Sequence, residues 1–182
     1  VLAFVRDISE RKKVDERLRE SEGRFSAAFN INPDPVAVSM SDTARRIMVN
    51  PAFVEWSGYP HAELIGATIE QLLAHPEDRD RILTQFRRNN ELSDLEIQLH
   101  RKNGEIRDTL FSVRFIEIGG RKYLFSRIHD ITERKLLEKD LRESEERFRR
   151  LSENAPDIIY RYRLKPDAGF EYVSPATVKL TG

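Results

Sequence analysis

The sequence predicts an α+β fold: an antiparallel sheet whose strands come from both ends of one segment, with short helices grouped between them. Three observations carry that prediction. Residues 35–49 and 95–129 contain stretches that alternate apolar and polar positions with the period of a half-buried strand. Residues 50–88 are instead cut into short helical pieces by Gly58, Pro60, Gly66 and Pro76. The unit also recurs: residues 7–25 (DISERKKVDERLRESEGRF) return as residues 130–148 (DITERKLLEKDLRESEERF), and the same offset joins Pro33 to Pro156 and Asp34 to Asp157.

The elements follow in order. Pro35–Met40 alternates like a strand, Ser41-Asp42 turns it, and Arg46–Val49 is a second strand. Asn50-Pro51 opens a short helix, with Asn50 as N-cap and Pro51 at the first helical position. Its apolar residues Phe53, Val54 and Trp56 lead to Gly58, a natural stop. His61–Ile65 and Ile69–Leu73 are further short pieces, and Pro76–Arg88 sets Ile82, Leu83 and Phe86 at helical spacing. Three longer strands close the unit. Leu95, Ile97 and Leu99 alternate with Glu96, Gln98 and His100, and Asn103-Gly104 is a hairpin-turn dipeptide. Phe111, Val113 and Phe115 repeat the alternation, Gly119-Gly120 turns the chain again, and Tyr123–His129 is the last strand.

Charge and composition narrow the function classes. Lys and Arg total 31, as do Asp and Glu, so no basic excess exists to neutralise phosphates and nucleic acid is not an expected partner. No long apolar run and no signal peptide occur, so no direct membrane insertion is expected in this segment. The absence of cysteine removes disulfides, thiolate metal sites and cysteine nucleophiles. A cytoplasmic location fits, with the parent chain free to be membrane-anchored elsewhere. Val1–Val5 reads as a strand without a partner before it, and the pattern at Thr181-Gly182 breaks off, as in a segment of a longer chain.

The repeat extends into the domain itself. With one residue more in the offset, VNPAFVEWSG (49–58) returns as VSPATVKLTG (173–182). A period of roughly 120 residues is too long for a solenoid and suits a whole small domain with its linker.

VNPAFVEWSGY (49–59), ELIG (63–66), HPEDR (75–79), RKNG (101–104) and DITERK (130–135) together resemble the PAS family, in that family's order and spacing over residues 22–135. NAPDIIYRY and EYVSPATVKLTG look like the opening of a further copy. The resemblance implies a five-stranded antiparallel sheet in the order 2-1-5-4-3 with helices on one face, used as a sensor or dimerisation module. Such modules sit upstream of histidine kinase or diguanylate cyclase domains. The expected organisation is then the last strand and DIS cap of a preceding PAS unit over 1–9, a helical linker over 10–24, and a complete PAS domain over 25–132. A second helical linker follows over 133–150, and the start of another PAS unit over 151–182.

Cofactor chemistry can be checked residue by residue. The photoactive cysteine of light-sensing members cannot exist here. Flavin-binding members place amide side chains beneath the ring, where this chain has Leu99, Thr109 and Ile128; two of these cannot hydrogen-bond, which argues against flavin. For haem the candidate axial ligand is His75, whose simpler reading is a polar residue before the helix at Pro76; His61, His100 and His129 are weaker candidates, the last two on outward strand faces. The histidines lack the paired spacing of a metal site. No cofactor is therefore predicted. The inner sheet face of Leu95, Ile97, Leu99, Phe111, Val113, Phe115, Leu124 and Ile128, with Thr109 and Ser126 as polar points, reads first as core filled out by Phe53 and Trp56. Its second reading is a pocket for a small apolar ligand, lined by Leu99, Thr109, Phe111, Val113, Ser126 and Ile128.

The linkers carry the remaining signal. Asp130, Ile131, Thr132 and Glu133 have the spacing of a capping box, with Asp130 as N-cap; Asp7 and Glu10 repeat it. The resemblance makes this junction the expected signal-relay site, since the cap joins the final strand directly to a helix. Leu137, Leu141, Ser144, Phe148 and Leu151 recur in steps of four and three, and so do Val14, Leu18, Ser21, Phe25 and Ala28. That is a coiled-coil seam, giving a parallel homodimer through the linker helices, although a stripe this short can also pack on its own domain's sheet. No nucleotide-binding glycine motif or nucleophile–base pair appears, so no catalytic residue is assigned and the segment is not expected to be an enzyme. The expected function is a sensory and signal-relay module of a sensor histidine kinase, with adjacent PAS and output domains of the same chain as partners. A module regulating a diguanylate cyclase or phosphodiesterase, and a ligand-free dimerisation spacer, remain the alternatives.

Overall fold

The structure is a computed structural model and describes residues 9–154, 160–173 and 177. It divides into two units, Val1–Thr132 and Glu133–Gly182. The expected strand over Val1–Val5 and the DIS cap residue Asp7 lie outside the described residues, as does the side chain of Glu10.

In the first unit the chain runs α1 (Ser9–Ile31), β1 (Val36–Met40), β2 (Arg46–Val49), α2 (Pro51–Ser57), α3 (His61–Leu64), a 3-10 turn (Ile69–Gln71), α4 (Asp78–Asn89), β3 (Glu91–His100), β4 (Ile106–Ile118) and β5 (Arg121–Asp130). The five strands form one antiparallel sheet in the order β2-β1-β5-β4-β3. This is the predicted order. The second unit continues α5, which begins at Thr132 and ends at Asn154, into a hairpin of β6 (Tyr160–Arg163) and β7 (Gly169–Val173).

Turn chemistry explains two connections. Gly119 and Gly120 take φ of 59° and 74°, the left-handed pair that a two-residue hairpin needs to match strand twist. Asn103-Gly104, expected as another such turn, lies instead within a longer loop over residues 101–105, closed by the Arg101 amide on the Glu105 carbonyl at 2.9 Å. Three helical pieces are shorter than their spacing suggested. The piece at 61 ends at Leu64, the piece at 69 is a single 3-10 turn, and α4 starts at Asp78, two residues after Pro76. Gly66, at φ 81°, releases the chain from the first of these.

Asn50 organises the start of the sheet. It is fully buried and its side chain makes four hydrogen bonds. Oδ1 accepts from Phe53 N at 3.0 Å as the α2 cap and from Val36 N at 2.9 Å, while Nδ2 donates to the carbonyls of Asn32 at 3.1 Å and Asp34 at 2.9 Å. Every polar atom of the amide is thus satisfied, which is what permits its burial.

The main core lies between the sheet and helices α2–α4, around Phe53, Leu64, Leu72, Ile82, Leu92, Ile97, Leu99, Phe111 and Ile128. A second, smaller cluster sits on the opposite face, where Phe29 of α1 covers Val36 and Val38 beside Ile116, Tyr123 and Phe125. The apolar run PVAVSM feeds both faces: Ala37 packs in the main core and its neighbours Val36 and Val38 in the other. Helix α1 therefore extends to Ile31, past the linker end expected at residue 24. It packs through Phe29, while Phe25, on the expected seam, is 43% exposed and stacks on Phe29 at 5.8 Å.

Candidate ligand cavity and relay junction

Between α4 and the inner face of the sheet lies a cavity of about 280 Å³. Its floor is Phe111, Val113, Leu124, Ser126 and Ile128 from the adjacent strands β4 and β5, and its walls include Phe53, Ile82 and Phe86. Of the six candidate pocket residues, Phe111, Val113, Ser126 and Ile128 are on this surface. The other two are not. Leu99 is completely buried and bridges Leu73, while Thr109 is completely buried with its hydroxyl donating to the Ile97 carbonyl at 2.9 Å. Both belong to the packed end of the core, because the segment 72–74 lies against β3 there: the His100 amide donates to the Leu72 carbonyl at 2.8 Å. Phe115, expected inside, is 39% exposed and packs on Phe86 with ring centroids 5.1 Å apart.

Sequence reasoning did not single out Arg46, which also lines the cavity and is 3% exposed. Strict alternation from the inward Val49 would turn Ile47 inward and Arg46 outward. The β1–β2 register instead passes from Val38 opposite Met48 to Ser39 opposite Arg46, so Ile47 is the extra residue of a bulge and Arg46 takes the inner face. There Nε donates to the Leu64 carbonyl at 3.0 Å and Nη2 to the Gln71 side chain, with the guanidinium 5.3 Å from the Phe53 ring centre. Burial lowers its pKa to about 10, so it stays charged at neutral pH.

The histidines lie elsewhere. His75 is exposed with Nε2 3.0 Å from the Gln98 side chain, His129 is exposed with Nδ1 3.0 Å from Asp34, and His100 lies with Nδ1 3.3 Å from the Arg101 carbonyl. None of these, nor His61, is on the cavity wall.

At the opposite end of β5, the last strand residue, Asp130, joins three elements. Its Oδ1 accepts from Thr132 N at 2.9 Å at the start of α5, and its Oδ2 accepts from the indole Nε1 of Trp56 in α2 at 2.8 Å. Arg107 Nη1 of β4 stands 3.9 Å away. Thr132 also hydrogen-bonds back to β4: its Oγ1 accepts from Asp108 N at 3.0 Å, while Ile131 is buried and its amide donates to the Asp108 carbonyl at 2.9 Å. The cap therefore works from within the strand, one position before the helix-flanking residue, and Glu133 is left exposed. Burial pushes the Asp130 carboxyl up, but the bonds from Thr132 and Trp56 and the charge of Arg107 outweigh it and hold the group below its usual 3.8. Trp56, expected only as core filler, has this second role.

The sequence profile of the PAS domain family matches residues 33–133. The chain belongs to the PAS family. Among curated proteins it is 29% identical over 144 residues to "Sporulation kinase E" of Bacillus subtilis, covering 79% of this chain and 19% of that protein. It is 27% identical over 158 residues to "Probable diguanylate cyclase DgcE" of Escherichia coli, covering 84% of this chain and 14% of that one. The chain thus spans a fifth or less of the length of these relatives. Among solved structures, the PAS domain of an HTR-like protein from Haloarcula marismortui superposes with a TM-score of 0.56 at 23% identity, covering 66% of this chain and 99% of that one, a likeness of fold. A PAS sensory domain with relatives among a kinase and a cyclase is a signalling module. No helix among the described residues is long and apolar enough to cross a membrane.

Proposed function

We propose that this chain is the sensory and relay segment of a multi-domain sensor histidine kinase, in which the central PAS domain biases the helix that leaves it. The observation that supports this reading is the Asp130 junction. One carboxylate bonds both Trp56, on a helix over the sheet, and Thr132, the first residue of α5. A change in the α2 position would act on the start of the helix through two short hydrogen bonds, with no flexible loop between.

The remaining parts follow from that role. The segments before and after the central domain are pieces of neighbouring PAS units, and α5 pairs with its copy in a parallel homodimer through Leu137, Leu141, Ser144, Phe148 and Leu151. Leu137 and Leu141 are each 62% exposed, leaving an apolar stripe for such a partner. Catalysis resides in an output domain elsewhere in the parent protein, and the segment works in the cytoplasm. The test is Asp130→Ala in the parent protein, with autophosphorylation measured against signal. Uncoupled output in a folded variant is expected, and unchanged regulation would reject the relay.

A second reading replaces the kinase by a diguanylate cyclase, supported by the similarity to the Escherichia coli protein over 84% of this chain. The purified parent protein decides between them: phosphohistidine formed from ATP, or cyclic diguanylate formed from GTP.

A further inference from the structure

The cavity beside α4 is mostly apolar, yet it holds one buried guanidinium. Arg46 is 3% exposed, and no carboxylate lies within ion-pair distance of it among the described residues. A charge removed from water is ordinarily paired, and leaving one uncompensated is strongly unfavourable. The two carboxylates on the cavity wall are otherwise placed. Glu70, on the wall, is bound by Arg79, and Asp42, also on the wall, is exposed to solvent at the β1–β2 turn.

The bonds that Arg46 does make fix its orientation without using all its donors. Nε is held by the Leu64 carbonyl, one Nη2 proton by Gln71, and one face by the Phe53 ring. This leaves Nη1 and the second Nη2 proton, the end edge of the fork, which matches the two oxygens of a carboxylate. Ser39 and Ser126 add hydroxyls on the wall, and Phe86, Phe111, Leu124 and Ile128 supply an apolar surface. At about 280 Å³ the cavity lies near the lower end of the roughly 300–1,000 Å³ typical of small-molecule sites.

We infer that the cavity binds a small monocarboxylate with an apolar body, its carboxylate on the free edge of Arg46 and its body against the floor of β4 and β5. The inference rests on the sensory reading above and names the ligand class for it. It also gives the bulge at Ile47 a use, since the bulge is what turns Arg46 inward.

The test is calorimetric titration of the 182-residue chain with two matched pairs: phenylacetate against phenylacetamide, and hexanoate against hexanamide. Each acid should bind roughly 10-fold or more tightly than its neutral amide, the difference expected for a hydrogen-bonded charge pair. Arg46→Met should remove that preference, and Arg46→Lys, which keeps the charge without the fork, should retain part of it. Ser126→Leu, which fills the floor and leaves Arg46 in place, should abolish binding of both members of a pair. Acids and amides that bind equally overturn the carboxylate assignment while leaving a ligand-sensing cavity. Absence of binding by all four probes overturns the inference altogether. The wild-type comparison decides even if Arg46→Met does not fold, and the relay reading is judged separately, by the Asp130→Ala output experiment.

Discussion

The indole of Trp56 donates to the carboxylate of Asp130 across 2.8 Å, although the two residues are 74 positions apart in the chain. One belongs to a seven-residue helix over the sheet and the other ends the last strand of that sheet. The contact ties the helical layer to the point where the chain leaves the domain. A single hydrogen bond to a charged group thereby serves fold stability and carries the proposed relay, and the predictions below separate the two.

Trp56→Phe keeps an aromatic ring but removes the donor. A hydrogen bond to an ionised partner and part of the packed ring area are lost, so chemical denaturation should show destabilisation on the order of 2 kcal/mol. In the parent protein the same variant should weaken coupling between signal and output. A variant as stable as the wild type would remove Trp56 from the junction.

Asp130→Asn tests the electrostatics. The native carboxyl is held below its usual 3.8, so the unfolded chain takes up the proton first as pH falls. The stabilisation is therefore complete above the unfolded value and is lost as pH drops below it and through the folded value. Unfolding free energy followed between pH 6 and acid should fall more steeply below about pH 4 in the wild type than in Asp130→Asn. Parallel curves would contradict the assignment.

Asn50→Ala removes an N-cap and leaves the Val36 amide and the carbonyls of Asn32 and Asp34 without the partners they have inside the protein. Loss of the cap costs about 1 kcal/mol and the stranded groups add more, for a total on the order of 3 kcal/mol in denaturant unfolding. An effect no larger than that of an ordinary cap would mean that water replaces the amide.

Ser144→Leu addresses the α5 stripe. Leucine in place of serine continues the apolar seam from Leu141 to Phe148, so the chain should self-associate more strongly in sedimentation and the parent's output should lock in one state. Unchanged association together with unchanged signalling would reject the seam as a switch.

Much of the architecture was legible in local chemistry. The Asn50-Pro51 start of α2, its Gly58 stop at φ 72° and the Gly119-Gly120 hairpin need only neighbouring residues, and each forms as expected. The alternation of Phe111 and Val113 likewise placed both on the inner face, where they line the cavity. Leu99 and Thr109 share that period and yet are sealed, because period two assigns a face and cannot tell which part of the face another segment covers.

What the sequence by itself determined is the frame: strands at both ends, helices between them, a capping motif after the last strand whose residues recur earlier in the sequence, and membership of a fold whose strand order follows from the resemblance. Tertiary structure alone decided which residues meet. Trp56 reaches Asp130 only after the sheet closes, and Arg46 faces the cavity only because a bulge shifts the register of β2 by one residue. The physical reason is the same in both cases. Period and propensity are local and fix a side chain's face, whereas a one-residue change in strand register reverses that face and is set by the partner strand.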